Sequence, residues 1–263
     1  MTTQNKSAVV TGASAGLGAV YAQRLADRGY DLILVARNTA RLETLASDIR
    51  SRTGRAVDVL TADLTDAAQI SVVEERLRTD ESIEVLINNA GGALFTPLAA
   101  SDAAASEAMI NLNVTSLTRL TTAVLPGLTA RGHGTVVNVS SALALNILPV
   151  SAVYSGTKSY VLTFTQALQQ ELAESPITVQ AVLPGAVRTE FWDGSGLDLA
   201  AFPDEWIMSA DDAVNAALAG LDAGEPVTIP SLPEISDWES FEKARQMLAP
   251  NLSQRVPADR YRR

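Results

Sequence analysis

Ala8-Val9-Val10-Thr11-Gly12-Ala13-Ser14-Ala15-Gly16-Leu17-Gly18 decides how the rest of the chain is read. A short β-branched run ends at Thr11, glycines follow at Gly12, Gly16 and Gly18, and a helical pattern opens near Gly16. Glycines in such a turn let the backbone bend sharply and approach an anion, whose charge the free amides of a helix N-terminus stabilise. Strand, glycine turn and helix in that order predict a pyrophosphate site; a plain glycine-rich turn is the alternative. The spacing is Gly-x-x-x-Gly-x-Gly, and no Gly-Lys-Ser/Thr follows, which argues against nucleotide hydrolysis.

The same unit repeats along the chain. Strand-like runs at Asp31–Val35, Ala56–Thr61, Ile83–Ile87, Gly134–Val139 and Ile177–Val182 are followed by helical patterns or turns. The helices are expected at Thr39–Arg52, Asp66–Thr79, Ser101–Ala130 and Ser151–Glu174. Later come a helix over Ala210–Leu221, an edge strand over Pro226–Pro230 and a helix over Ser236–Leu248. Continuous apolar strands mean burial on both faces, so the pattern predicts an α/β fold: a doubly wound parallel sheet of about seven strands with helices on both faces. Ligands of such sheets bind at the carboxyl ends of the strands. The absence of a repeat, linker or composition shift points to a single domain over residues 1–263.

Composition narrows the function classes. Hydrophobic residues make up 47% of the chain, charged residues 19%, and the formal net charge is −10. Such an acidic chain repels phosphate backbones and anionic lipid, so neither nucleic acid nor a membrane is an expected partner. There is no cysteine, hence no disulfide or thiolate chemistry, and the single histidine, His133, rules out a multi-histidine metal site. His133 sits between two glycines and reads as a turn residue. The polar stretch Met1–Ser7 shows no secretory leader, and no apolar run approaches the ~20 residues of a membrane span. A cytoplasmic location is the expectation.

The second strand ends at Val35-Ala36-Arg37-Asn38. Dinucleotide folds that prefer NAD place a carboxylate here for the ribose 2′-hydroxyl, whereas an arginine can pair with a 2′-phosphate. Ala36 removes the carboxylate, Arg37 supplies the cation and Ser14 offers a hydroxyl. NADP(H) is the preferred cofactor on this reading, with NAD(H) and a merely solvated Arg37 as alternatives.

Further turn residues complete an ordered set: Asp63, Asn88-Asn89-Ala90-Gly91, Asn113, Ser141, Tyr154-x-x-x-Lys158, and Pro184-Gly185 with Thr189. With the Thr11–Gly18 turn, this set resembles the short-chain dehydrogenase/reductase (SDR) family over nearly the whole chain. The resemblance implies a Rossmann-type sheet and a nicotinamide cofactor. It implies that Asp63 bonds the adenine amino group with Leu64 packing nearby, and that Asn89, Ala90 and Gly91 line the ribose. It also implies that Pro184, Gly185, Val187 and Thr189 lie at the nicotinamide, the last two at its carboxamide. Singly, Asp63 also reads as a helix cap, Asn88-Asn89 as a turn and Thr189 as a helix start.

Tyr154 and Lys158 are four apart on an expected helix and so share a face. A free phenol has a pKa of roughly 10. A nearby ammonium favours the phenolate, so Lys158 is expected to lower it toward neutrality. Tyr154 would then donate a proton to a carbonyl oxygen as hydride arrives, and remove one in reverse. Ser141, thirteen residues before Tyr154, matches the family spacing where Ser140 does not, and would orient the substrate oxygen. The resemblance gives Asn113 a water leading protons to Lys158; otherwise it is an exposed helix position.

The loop Ala142–Val150 and the aromatics from Phe191-Trp192 to Phe202 and Trp206 predict an apolar pocket with a lid near 190–209. The substrate would be a small hydrophobic ketone, aldehyde or alcohol. A C-terminal helix and basic tail occupy about 234–263. Pairing of the helices Ser101–Ala130 and Ser151–Glu174 in the family implies a homodimer or homotetramer. Two rival functions remain: an epimerase or dehydratase using the same tyrosine–lysine pair, and a non-catalytic NADP(H)-binding redox sensor.

Overall fold

The computed structural model describes residues 6–262; Met1–Asn5 and Arg263 of the two termini lie outside the described residues. Contacts divide the chain into a unit ending at Pro230 and a second unit, Ser231–Arg263.

The first unit holds a seven-stranded sheet. Its strands are β1 (Ser7–Thr11), β2 (Asp31–Ala36), β3 (Val57–Thr61), β4 (Ile83–Asn88), β5 (Gly134–Val139), β6 (Ile177–Val182) and, after a two-stranded ribbon, β9 (Val227–Thr228). The order is β3-β2-β1-β4-β5-β6-β9 and every pair is parallel. The ribbon pairs β7 (Ala186–Arg188) with β8 (Ile207–Ser209), also in parallel. Around the sheet lie α1 (Gly16–Asp27), α2 (Thr39–Thr53), α3 (Ala67–Thr79), α4 (Ala103–Ile110), α5 (Ser116–Arg131), α6 (Ala152–Glu171) and α7 (Ala210–Asp222).

Alternate side chains of one strand feed opposite cores, as the two-residue period of a strand requires. Ala8, Val10, Leu32 and Leu34 join Leu25, Ile49 and Leu218 from α1, α2 and α7. Val9, Ile33 and Val35 join Ile70, Leu120 and Leu168 from α3, α5 and α6. Both faces are therefore covered, which is the doubly wound arrangement expected from the sequence. Inside it, Asn88 Nδ2 donates to Thr121 Oγ1 and Asn138 Oδ1, and Asn138 Nδ2 donates to Thr165 Oγ1. This chain of amides ties β4 and β5 to α5 and α6.

Differences from expectation are local. The stretch Ser101–Ala130 is not one helix: α4 ends at Ile110, a π turn covers Asn111–Thr115, and α5 begins at Ser116. The edge strand expected over Pro226–Pro230 pairs only at Val227 and Thr228, its prolines being unable to donate. Among the described residues no helix is long and apolar enough to cross a membrane.

The second unit contains α8 (Ile235–Gln246), with Trp238 stacked on Phe241 at 5.5 Å, followed by short 3₁₀ turns at Ala249–Asn251 and Asp259–Tyr261.

Candidate active site

In the sheet, β1 is flanked by β2 on one side and β4 on the other, so the crossover direction reverses there and a crevice opens at the carboxyl ends. Thr11 and Asn89 hold that crevice. The hydroxyl of Thr11 donates to Ile87 O at 3.2 Å and accepts from the amides of Asn89 and Ala90, each at 3.0 Å. Asn89 Nδ2 donates to Thr11 O at 2.9 Å and to Gly12 O at 3.3 Å. Gly12 has a φ of 66°, a left-handed conformation that a side chain would strain.

A cavity of about 710 Å³ runs along this edge. Gly12, Ser14, Gly16, Leu17, Arg37, Asp63, Leu64, Asn89, Ala90 and Gly91 line it, and so do Ser141, Tyr154, Lys158, Pro184, Gly185, Val187 and Thr189. Two residues of the expected set do not line it. Gly18 is buried behind the turn, where a Cβ would fall within contact distance of Gly12 O and 2.6 Å from Asn89 Nδ2. Asn113 is 2% exposed, which overturns its reading as an exposed helix position. Its Nδ2 donates to Gly92 O at 2.9 Å and Thr157 Oγ1 at 3.0 Å, and its Oδ1 accepts from Gly92 N at 2.9 Å.

The alternatives for single residues also resolve. Asp66, not Asp63, caps α3, accepting from Ala68 N and Gln69 N. Asp63 accepts from the amide and hydroxyl of Thr65, and those bonds hold its carboxyl below the usual range. Thr189 does start a short 3₁₀ turn, accepting from Phe191 N, while its side chain also packs against Gly16. His133 lies outside the cavity, its Nδ1 3.1 Å from Arg131 O.

Where β5 ends, two adjacent serines divide their tasks. Ser140 Oγ donates to Lys158 O at 2.7 Å and so pins α6 to the strand. Ser141 Oγ accepts from Leu143 N at 3.1 Å and is hydrogen-bonded to Tyr154. Lys158 Nζ donates to Val139 O at 2.9 Å and stands 5.8 Å from the Tyr154 ring centre. Tyr154 and Lys158 are each 5% exposed. Burial pushes the phenol up to about 12, with the Ser141 bond opposing it, and brings the ammonium down to about 8. The phenol is thus raised and not lowered as expected: loss of water dominates, and the opposing effect comes from Ser141 and not from Lys158.

Aromatic rings enclose the phenol. Phe95 meets Tyr154 edge-on at 5.3 Å and stacks on Trp192 at 6.0 Å, and Phe191 lies 5.9 Å from Tyr154. Trp192 Nε1 donates to Val187 O at 2.8 Å, and Phe95 N donates to Ser195 O at 2.7 Å. Of the expected lid aromatics, Phe191 and Trp192 are half-buried, whereas Trp206 is 66% exposed. Sequence reasoning missed Phe95 and Arg41, both of which line the cavity. The available signals were the apolar run Ala93-Leu94-Phe95 after a glycine pair, and a second arginine one turn beyond Arg37.

The first turn of α1 has Ala15 as its cap, with no side-chain acceptor and no acidic residue. Its amides are left for an anion at Gly16 and Leu17, so the site fits a dinucleotide pyrophosphate. Arg37 follows β2 and Ser141 follows β5, three strand spacings apart, or about 14 Å. That separation suits an extended cofactor.

The family model for short chain dehydrogenases matches residues 6–199. A short-chain dehydrogenase from Sphingobium yanoikuyae, solved in complex with NADPH, is similar at 45% identity and a TM-score of 0.94, covering 98% of this chain and 100% of that one. The bulky-bulky ketone specific alcohol dehydrogenase from Comamonas testosteroni is 38% identical, with a TM-score of 0.91 over 99% of this chain and 100% of that one. Human 17-beta-hydroxysteroid dehydrogenase type 3 is 34% identical over 186 residues, 69% of this chain and 59% of that relative, so the chain spans under two thirds of its length. With the match over most of its length and the switch-point crevice in place, the chain belongs to the short-chain dehydrogenase family of oxidoreductases.

Proposed function

We propose that the protein is an NADP(H)-dependent oxidoreductase that interconverts a ketone or aldehyde and an alcohol on a small, hydrophobic substrate. The observation carrying this reading is a single cavity lined both by the glycine turn with Arg37 and by Ser141, Tyr154 and Lys158. The NADPH of the Sphingobium relative and the ketone specificity of the Comamonas relative support it. Phe95, Phe191, Trp192, Leu197 and Phe202 around the same cavity favour a ketone with an apolar body. All lining residues precede Pro230, so the catalytic role falls to the first unit, with residues 190–209 as its lid. A chain without cysteine fits the reducing cytoplasm, and family resemblance makes it a homodimer or homotetramer.

In this mechanism the bound nicotinamide supplies or accepts the hydride. Tyr154, protonated at neutral pH because burial holds its phenol up, gives its proton to the carbonyl oxygen during reduction. Ser141, fixed by Leu143 N, turns its one proton toward the substrate oxygen and stabilises the developing charge. Lys158 uses one N–H on Val139 O and has two left for the ribose and for proton exchange. Asn113 holds the loop at Gly92 and stands beside Lys158: a Cβ at Gly91 would lie 3.2 Å from its Oδ1 and 3.4 Å from Lys158 Nζ.

Two measurements test this. NADPH oxidation is followed against ketones and aldehydes of graded bulk, and repeated with NADH. Arg37→Ala is expected to lower kcat/KM for NADPH by about 10- to 100-fold, the size of a charge-assisted bond to phosphate, with NADH nearly unaffected. Equal use of both cofactors by the unaltered protein would overturn the NADP assignment. The pH profile of reduction should fall above about 8, by about tenfold per unit, as Lys158 loses its proton. Lys158→Arg should move that limb upward; an unmoved limb would remove Lys158 from the profile.

A further inference from the structure

Arg37 is not the only cation at its end of the cavity. Arg41 lies in the first turn of α2, where its amide donates to the Asn38 cap at 3.1 Å, and it lines the same cavity. No acidic side chain occupies that first turn. The partner of Arg41 comes from elsewhere: its Nη1 lies 3.8 Å from Glu190 Oε1, and Glu190, also a lining residue, stands directly after Thr189 at the root of the lid.

On its own this ion pair is weak. At 3.8 Å it is too long for a hydrogen bond, and both side chains are more than half exposed, so its own contribution to stability is small. It also bridges two separate walls of the cavity, the start of α2 and the segment after β7. A phosphate carrying nearly two negative charges and three acceptor oxygens binds a guanidinium better than a single distant carboxylate does. The carboxylate would then be left facing a dianion, which adds repulsion.

We propose that Arg41 is a second ligand for the cofactor 2′-phosphate and that Glu190 is its built-in competitor, holding the guanidinium until a phosphorylated ribose displaces the carboxylate. The proposal rests on the NADP(H) reading above and adds to it a residue that selects by rivalry rather than by attraction. Glu190 weakens ligands that carry a 2′-phosphate and leaves those with a free 2′-hydroxyl untouched. Its effect on cofactor choice is thus opposite in sign to that of either arginine.

The test titrates the full-length protein with NADPH, NADH, 2′,5′-ADP and 5′-AMP. Glu190→Gln is expected to tighten NADPH and 2′,5′-ADP by about two- to fivefold, the range of an exposed ion pair, with NADH and 5′-AMP unchanged. Arg41→Ala should weaken NADPH and 2′,5′-ADP by a similar factor, and Glu190→Gln should add nothing in that background. If Glu190→Gln moves all four ligands alike, or none, the rivalry is overturned. Loss of phosphate preference in Arg37→Ala, with Arg41→Ala and Glu190→Gln both silent, would sink this inference and leave the NADP(H) reading standing. An unaltered protein that does not distinguish NADPH from NADH would sink both.

Discussion

Tyr154→Phe is expected to reduce turnover in both directions by about 10²- to 10⁴-fold while changing NADPH affinity by less than about twofold. The substitution removes one oxygen. The ring that remains keeps its edge-on contact with Phe95 at 5.3 Å and its neighbour Phe191 at 5.9 Å, so the aromatic wall has no reason to rearrange. Burial already disfavours the phenolate, so the oxygen leaves no buried charge unpaired, and Ser141 retains its bond from Leu143 N. Stability should therefore stay nearly constant and the loss should appear in kcat rather than KM. Single-turnover reduction of a bulky aryl ketone, beside a NADPH titration and a thermal melt, separates these terms. Undiminished reduction with cofactor bound would remove Tyr154 from the reaction.

Gly18→Ala is expected to disable the site without touching it. The added Cβ would collide with the carbonyl of Gly12 and approach Asn89 Nδ2 at 2.6 Å. Neither can step aside freely, because Asn89 Nδ2 is already bonded to Thr11 O and Gly12 O. The helix start must move instead, and with it the amides at Gly16 and Leu17 that face the cavity. Overpacking of this kind costs about 1–3 kcal/mol, which for a chain of this size lowers Tm by about 2–4 °C per kcal/mol. NADPH affinity should drop by at least about tenfold, since amides displaced by even an ångström lose their aim. A melt and a titration check both; an unchanged pair of values would show that the helix start is free to slide.

The sequence revealed most of the frame because its signals were periodic or local. Continuous apolar strands, glycines at a turn and a tyrosine–lysine pair on one helical face are all read from spacing alone. The break between α4 and α5 was not legible, because a π turn inserts a residue without changing composition. Asn113 sits in that turn and bonds both the amide and the carbonyl of Gly92, a long-range reason that no local pattern contains. The rise in the Tyr154 pKa was missed for a related reason: the charge of Lys158 is visible in sequence, but the depth of burial is not. Ser140 and Ser141 show the opposite case, in which spacing chose the cavity-facing residue and the fold then gave the other a partner in Lys158 O. Arg41 and Glu190 are far apart in the chain, and their meeting depends on how the walls of the crevice converge.

The ribbon of β7 and β8 has a bearing on how the protein can change over generations. Ala186, Val187 and Arg188 pair with Ile207, Met208 and Ser209, and Arg188 adds an ion pair to Asp204 at 2.6 Å. Residues 189–206 thus cross from one strand of a small sheet to the other, and that sheet is separate from the seven-stranded one. Side chains at the exposed crown, Trp206 among them, can be exchanged, and the range of molecules admitted can drift, while the seven-stranded sheet and its glycine turn are inherited intact.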